Sequence, residues 1–272
     1  MLPDPHPRSR LRFGPVTTDP VRARWSSGGT AFAAWLSLES PAAAEITASA
    51  GFDAVVIDLQ HGHSTLEDLP SLIAAIERTP TVPFIRASWN SPAELMRALD
   101  LGVRGVICPM VGSRTEAEAF VAACRYPPAG TRSYGPLHAA FGQGREQIES
   151  ADAAVLLFAM IETADGLANV DEIAATPGLD GLFVGPSDLS LAMSLDTFAD
   201  LTDPALLETL DAIVDTASRH GIQPGIHAPS PARAAGMAGR GFRFVSCAVD
   251  ADLLREAAAT ALRATRTPRS AG

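Results

Sequence analysis

The sequence contains few cysteines, few aromatic residues and no long apolar run. The three cysteines, Cys108, Cys124 and Cys247, are scattered and lack the Cys-x-x-Cys spacing of zinc or redox sites, so we expect free thiols in or near the core. No stretch supplies the roughly eighteen uncharged apolar residues that a membrane span needs, and residues 1–20 lack the apolar region of a signal peptide. These absences predict a cytoplasmic protein.

Basic residues are also scarce. The 272 residues include 21 basic and 31 acidic side chains, which give a formal charge of −10. This balance argues against binding to nucleic acid or to an anionic membrane surface, and favours small-molecule partners. Because 47% of residues are hydrophobic, the chain is long enough for one large core. We expect a single domain over residues 21–266, with flexible tails at 1–20 and 267–272.

Short β-rich runs alternate with helical patterns along the chain. Helical patterns start at Pro41, Pro92 and Pro204, and two of them stop at Gly102 and Gly221. Alternation of this kind predicts a parallel sheet, and eight units in this length predict a (β/α)₈ TIM barrel. A doubly wound sheet is disfavoured because no Gly-rich phosphate loop follows the first strand. The eight predicted strands lie at 30–38, 52–58, 82–87, 104–109, 153–162, 180–186, 221–227 and 242–248.

In such a barrel the carboxyl ends of the strands form the functional mouth. The second predicted strand runs into "DLQHGH", where Asp58 and His61 together suit an acid/base pair, since a carboxylate fixes the tautomer of a histidine and raises its basicity. A hydrogen-bonded loop histidine is the alternative interpretation. For His63, and for the histidines at positions 6, 138 and 220, we expect only that structural role.

Two carboxylates end neighbouring predicted strands. Glu162 ends "VLLFAMIE" and Asp188 follows "LFVGPS". Adjacent carboxylates repel unless a cation lies between them, and two oxygen ligands with the remaining positions left to substrate and water suit Mg²⁺, Mn²⁺ or Co²⁺. Helix capping is the alternative role for Asp188.

Two further segments contribute an arginine that could lie at the mouth of the barrel. Arg86 ends a predicted buried strand, where its fork suits a carboxylate or an enolate; a structural ion pair with Asp58 or Glu162 is the alternative. The segment "RYPPAGTRSYGP", residues 125–136, is too long for a simple turn. Its Arg132 either covers the mouth or belongs to a rigid surface loop.

These motifs resemble those of the class II pyruvate aldolases of the HpcH/HpaI family, which include 4-hydroxy-2-oxoheptanedioate aldolase and 2-keto-3-deoxy sugar acid aldolases. The resemblance extends from about Trp25 to Leu262 and implies a phosphoenolpyruvate/pyruvate-type barrel. Its carriers, in the family's order and spacing, are "GFDAVVIDLQHG", "PFIRASWN", "ALDLGVRGVICPMV", "RYPPAGTRSYGP", "MIET" and "GLDGLFVGPSDLS".

The resemblance implies a role for each polar strand end. Glu162 and Asp188 are expected to hold the divalent metal, Arg86 to steady the enolate, and Asp58 with His61 to act as the acid/base dyad. The backbone amides of Ser187 and Asp188 are expected to receive the substrate carboxylate. Asp100 matches a catalytic residue that the family presents to a neighbouring subunit's site. The final helix matches one exchanged between subunits, and a hexamer built as a trimer of dimers is implied.

The chain departs from the family's pattern at three positions, which bear Gln60, Met160 and His227 where many members carry glutamate, glutamine and leucine. These changes lie where the aldehyde would bind. The predicted substrate-binding residues are Trp35, Gln60, Arg86, Arg132, Met160, Ser187, Asp188 and His227.

The resemblance predicts a metal-dependent aldolase that reversibly cleaves a 4-hydroxy-2-oxo acid, through an enolate, to pyruvate or a close 2-oxo acid plus an aldehyde. An acyl-CoA hydroxy acid lyase is one alternative, although no basic patch for the CoA phosphates is apparent. A non-catalytic barrel that binds a 2-oxo acid is the other.

Overall fold

The computed structural model describes residues 19–135 and 152–266. The predicted tails therefore lie outside the described residues, apart from Asp19 and Pro20. The same holds for His138 and for the last residue of the 125–136 segment. Pro20 is the first residue of a helix rather than part of a tail.

Eight parallel strands close into a barrel in sequence order, so β1 pairs with both β2 and β8. The (β/α)₈ prediction is thus confirmed, and each strand lies within a run that the sequence marked, give or take a residue. A doubly wound sheet is excluded because such a sheet has two open edges. The strands are β1 Ala31–Leu36, β2 Ala54–Asp58, β3 Val82–Arg86, β4 Gly105–Cys108, β5 Leu156–Ile161, β6 Gly181–Val184, β7 Gln223–His227 and β8 Phe244–Val249.

Most of the described helices begin at a proline, whose fixed φ suits the first turn and whose missing N–H leaves no donor unpaired. At the second helix the Ser40 hydroxyl also accepts a hydrogen bond from the Ala43 amide. The helices are α1 Pro20–Ser26, α2 Pro41–Ser49, α3 Leu69–Ile76, α4 Pro92–Asp100, α5 Arg114–Cys124, α6 Ala164–Ala168, α7 Val170–Ala174, α8 Pro186–Ala192, α9 Pro204–Arg219, α10 Pro231–Gly239 and α11 Asp250–Arg266.

Side chains alternate along each strand between the barrel interior and the helix layer. Outward residues such as Val55 and Ile57 join the larger apolar cluster beneath the helices. The inward positions form a separate core within the barrel, where four phenylalanine rings pack with centroids 5.0 to 6.4 Å apart. These rings belong to Phe84, Phe158, Phe183 and Phe244. They fill the barrel, so any ligand must bind above them.

Other sequence expectations concern the surface and the thiols. The three cysteines are free, and Cys108 and Cys124 are buried as predicted, whereas Cys247 is partly buried. Within the two described ranges, no helix combines the length and the apolar character that a membrane crossing requires.

Candidate active site

The alternation that builds the inner core also sets the polar residues at its rim. Asp58 lies two residues beyond the inward Val56, and Arg86 lies two beyond Phe84. Glu162 follows Met160 by the same interval, and His227 follows Gly225. Since a two-residue step returns to the same face of a strand, all four side chains lie inside the carboxyl end of the barrel.

Asp58 and Arg86 form a buried, bidentate ion pair. Arg86 Nε donates to Asp58 Oδ1 at 2.9 Å, and Nη2 donates to Oδ2 at 2.6 Å. Trp35 Nε1 also donates to Oδ2, at 3.1 Å. Burial raises the pKa of Asp58. The hydrogen bonds and charge of Arg86, together with the bond from Trp35, lower it by more, so the net pKa lies below its ordinary value. The pair fixes the Arg86 guanidinium and leaves Nη1 outside it.

Glu162 is buried with few partners. Its Oε1 accepts a hydrogen bond from the Met110 amide at 2.8 Å. Burial raises the pKa of Glu162 to about 7; the Met110 hydrogen bond lowers it, and the nearby Asp188 charge raises it. Its Oε2 lies against Gly185, where an added Cβ would approach to 2.5 Å. A glycine at this position therefore leaves room for the carboxylate.

Asp188 lies in the first turn of α8, directly after β6. No side-chain hydrogen bond caps this helix in the described structure, so Asp188 does not have the helix-capping role that was its alternative interpretation. The first amides of a helix have no acceptor within it. A cavity of about 70 Å³ opens here, lined by Trp35, Arg86, Met160, Gly185, Pro186, Ser187, Asp188 and His227.

His227 forms the opposite part of the cavity wall. Its Nδ1 lies 2.7 Å from the Ser246 Oγ, and its ring meets Trp35 edge-on at a centroid distance of 4.8 Å. Burial lowers the pKa of His227 to about 4, and the charge of Arg86 lowers it further in the same direction. The imidazole is therefore neutral at pH 7.

The remaining residues of "DLQHGH" lie at the mouth. The exposed His61 and the adjacent Gln60 each donate a backbone N–H to Asp58 Oδ1, at 3.2 and 3.1 Å. Within the described ranges the His61 imidazole has no hydrogen-bond partner, because the Asp58 carboxylate is taken by Arg86 and Trp35. The side-chain dyad stays a prediction. Gln60 is not part of the cavity lining, and its buried Oε1 has no partner within those ranges.

Asp100 and Arg132 lie away from this cavity in the same chain. Asp100 ends α4 and so lies at the amino-terminal end of the barrel. Arg132 Nη2 donates to its Oδ1 at 2.9 Å, and the guanidinium stacks on Tyr126 at 4.4 Å from the ring centroid. Any contact of either residue with substrate would therefore involve the site of another subunit.

The residues present fit a hard divalent cation. Glu162 offers a buried carboxylate and Asp188 an exposed one beside the same cavity; burial is the main cause of the raised pKa of Glu162, and the nearby Asp188 charge adds to it. Across the described residues no group of three or more His, Cys, Asp or Glu side chains converges on one point. The protein would thus supply two ligands and leave the others to substrate and water, as for Mg²⁺.

Sequence reasoning missed two features of the site. Ser246, fully buried in β8, holds His227 in place, and a serine within an apolar strand was its only signal. Gly185 accommodates Glu162. It was visible only as part of the Gly-Pro turn before Asp188.

A family model described as HpcH/HpaI aldolase/citrate lyase matches residues 32–257. The chain belongs to this family. The resemblance drawn from the motifs is thereby confirmed, and with it the expectation of a carbon–carbon lyase, since the relatives that match over most of the chain are named as aldolases.

Two curated HpcH/HpaI relatives illustrate the likeness. The hydroxypyruvate/pyruvate aldolase of Rhizorhabdus wittichii is 37% identical over 238 residues, which cover 88% of this chain and 95% of that protein. The 5-keto-4-deoxy-D-glucarate aldolase of Escherichia coli O157:H7 is 35% identical over 225 residues, covering 82% and 87% respectively. A crystal structure of a family member from Burkholderia cenocepacia superposes with a TM-score of 0.84 at 32% identity, over 92% of this chain and 100% of that one.

Proposed function

We propose that this protein is a metal-dependent aldolase that reversibly cleaves a 4-hydroxy-2-oxo acid to a short 2-oxo acid and an aldehyde. The observation that supports it is the convergence of Arg86, Glu162 and Asp188 at the carboxyl end of the barrel. Such a site offers a fixed guanidinium and free helix amides to one small anionic substrate, and two hard oxygen ligands to a metal ion.

The composition of the chain supports a metal mechanism over a Schiff base. All 21 basic residues are arginine, and the sequence contains no lysine. An aldolase that forms a covalent imine needs a lysine amine as nucleophile. A divalent cation, when bound, supplies the alternative, a Lewis acid that polarises the 2-oxo group and acidifies the adjacent carbon.

Arg86 and the start of α8 orient the substrate. The backbone amides of Ser187 and Asp188 donate to the substrate carboxylate, and Arg86 Nη1 donates to the 2-oxo oxygen, where negative charge develops. Asp58 holds the guanidinium in position through two hydrogen bonds, so little reorganisation is needed as the charge forms. Asp58 in this role positions Arg86, in addition to any contact with His61.

His61 is the proton carrier at the aldol oxygen in this proposal. It is exposed at the mouth, above the cavity, where the aldehyde half of the substrate would lie. A histidine there exchanges a proton near neutral pH. Gln60 contributes to the same aldehyde side.

The substrate is proposed from the named relatives. A hydroxypyruvate/pyruvate aldolase and a 5-keto-4-deoxy-D-glucarate aldolase share over a third of their aligned residues with this chain. The first name prints two short 2-oxo acids, and the second a sugar diacid whose keto group lies next to a carboxylate, so pyruvate or hydroxypyruvate is the proposed nucleophile. The cavity of about 70 Å³ suits a molecule of that size.

We also propose the oligomer that the motifs imply, a trimer of dimers in which α11 is exchanged between subunits. The 17-residue α11 exposes Leu253, Leu254 and Leu262 by 48%, 64% and 50%. A second chain would cover these side chains, and Asp100 and Arg132 would then face a neighbouring subunit's site. Sedimentation velocity of the full chain tests the hexamer.

The decisive experiment measures carbon–carbon bond formation by the purified full chain. The protein is freed of metal by chelation and then incubated with pyruvate or hydroxypyruvate and a panel of aldehydes, with and without Mg²⁺, Mn²⁺ or Co²⁺. We expect adducts, seen by mass spectrometry, only when metal is restored. Undiminished product after exhaustive chelation would rule the metal mechanism out. Cleavage of acyl-CoA substrates alone would instead favour the citrate lyase branch, and absence of turnover with tight 2-oxo acid binding would favour a binding protein.

A further inference from the structure

Two cavity-lining residues have hydrogen-bonding side chains that the proposed reaction does not use: Ser187, which acts there through its backbone amide, and His227. Among the cavity-lining residues, Arg86 and Asp188 already have roles, and Trp35 Nε1 is bonded to Asp58. Met160, Gly185 and Pro186 offer no polar side-chain group. Ser187 lies at the start of α8, where the substrate carboxylate is proposed to bind, so His227 is the polar side chain left on the rest of the cavity lining.

Ser246 determines which ring nitrogen of His227 carries the proton. Ser246 is fully buried, and its Oγ lies 2.7 Å from Nδ1. If Nδ1 were protonated, the hydroxyl proton of Ser246 would have no acceptor within the described residues, which is costly for a buried group. The serine hydroxyl therefore donates to Nδ1, and the proton of the neutral ring lies on Nε2.

The position of the ring is fixed by its neighbours. Trp35 and His227 pack in a T-shaped arrangement with ring centroids 4.8 Å apart, and Phe183 stacks on Trp35 at a centroid distance of 5.9 Å. The low pKa of His227, caused by burial and then by Arg86, keeps the ring neutral at pH 7. His227 thus presents a fixed, uncharged N–H donor to the cavity.

We propose that His227 Nε2 donates a hydrogen bond to an oxygen on the third carbon of the 2-oxo acid, and so selects hydroxypyruvate-type substrates over pyruvate-type ones. This inference rests on the proposed function. When the carboxylate and the 2-oxo group are held at α8 and Arg86, the lining left for the third carbon consists of Trp35, Met160 and His227, of which His227 has the available hydrogen-bond donor. An apolar residue at position 227 could not form a hydrogen bond with a hydroxyl on that carbon.

The test compares hydroxypyruvate with 2-oxobutyrate, in which a methyl group replaces the hydroxyl at nearly the same size. Binding is measured by quenching of tryptophan fluorescence in the presence of Mg²⁺, since Trp35 adjoins the cavity. We expect the parent to prefer hydroxypyruvate by roughly tenfold, the effect of one neutral hydrogen bond. His227→Leu should remove or invert this preference, and His227→Gln, which keeps an N–H donor, should retain part of it.

Two further variants sharpen the assignment. Ser246→Ala should weaken the preference although Trp35 still packs on the ring, because the ring loses the hydrogen bond that fixes its tautomer. His63→Leu, at an exposed histidine outside the cavity, should leave the preference unchanged. Circular dichroism of each variant verifies the fold. An equal preference in the parent, His227→Leu and His227→Gln would overturn the inference.

Aldol turnover measured in parallel separates this inference from the proposed function. If the parent binds both acids with the expected preference but forms no adduct with any aldehyde, the aldolase proposal fails and the selection by His227 stands. If adducts form but the preference does not depend on residue 227, the aldolase proposal stands and the role of His227 is wrong. Failure to bind either acid would overturn both.

Discussion

Both ends of the barrel hold carboxylates that are buried or partly buried, but the two ends differ in how fully those carboxylates are paired. At the amino-terminal end, Asp180 Oδ2 accepts hydrogen bonds from Arg125 Nη2 and from the Leu157 amide, each at 2.9 Å. Asp53 likewise bonds Arg24 Nε at 3.0 Å and the Phe32 amide at 2.9 Å. These partners tie strands, helices and loops together.

At the carboxyl end, Glu162 has the Met110 amide as its hydrogen-bond partner in the described structure, and its pKa is raised to about 7, chiefly by burial. Cavity volume does not identify the candidate site. A larger cavity, of about 570 Å³, lies at the amino-terminal end, but its Arg22, Arg125, Asp152 and Asp180 are engaged with protein groups. The pairing of the carboxylates, rather than cavity volume, therefore distinguishes the candidate site: Asp180 pairs with Arg125, whereas Glu162 has only a backbone amide among the described residues.

The largest expected effect comes from exchanging a carboxylate for its amide at each end. Glu162→Gln and Asp188→Asn should each lower aldol turnover by roughly 10⁴-fold, because the cation's ligands are lost. Calorimetric titration with Mn²⁺ should show lost binding, and urea unfolding should show a stability equal to or above the parent's. Asp180→Asn should do the opposite, costing about 3 kcal/mol of stability while each folded molecule still binds Mn²⁺. Similar losses of metal at both ends would remove the distinction.

The next effect separates two histidines of one loop. His61→Ala should lower cleavage by about 10³-fold, within the usual range for a positioned acid/base, while Mn²⁺ binding is retained. His63→Ala is the matched control, and we expect little loss, because its backbone N–H bonds the Ser37 carbonyl at 2.9 Å and its side chain is exposed. Steady-state kinetics of both variants provides the check. Parental turnover in His61→Ala would mean that another group carries the proton.

A smaller effect compares one arginine at each end. Arg86→Lys should lower turnover by about 10²-fold, since lysine cannot hold Asp58 with two parallel hydrogen bonds and donate a further one to substrate. Arg125→Lys removes a comparable network, with the Val155 and Gly178 carbonyls among the partners, but should reduce only stability. Turnover per folded molecule, with the folded fraction taken from urea unfolding, distinguishes the two. Equal kinetic effects would assign Arg86 a purely structural role.

The smallest effect concerns acid. The folded-state pKa of His227, about 4, lies below its ordinary value of 6.5, so the unfolded chain binds the proton more tightly. His227 therefore lowers stability as pH falls from about 6.5 to 4, by at most about 3 kcal/mol. In His227→Leu, urea unfolding between pH 7 and pH 4.5 should show a smaller decrease than in the parent. His63→Leu should follow the parent, and a parental acid response in His227→Leu would contradict the assigned burial.

The sequence by itself determined the barrel and the chemistry available to it. Alternating strands and helices predicted eight parallel strands, and a two-residue period placed Asp58, Arg86 and Glu162 at strand ends on one face. Composition alone excluded a lysine imine, because there is no lysine to form it. Such features are local, or are simple counts, and need no knowledge of which strands meet.

Only the tertiary structure decided which of these groups are partners. Asp58 is three residues from His61 in sequence, yet its carboxylate pairs with Arg86 on the next strand, because barrel register aligns the two side chains. The hydrogen bond from Ser246, 19 residues away on β8, fixes the tautomer of His227. Barrel closure and register bring these residues together, and neither can be read from the spacing of residues within one segment.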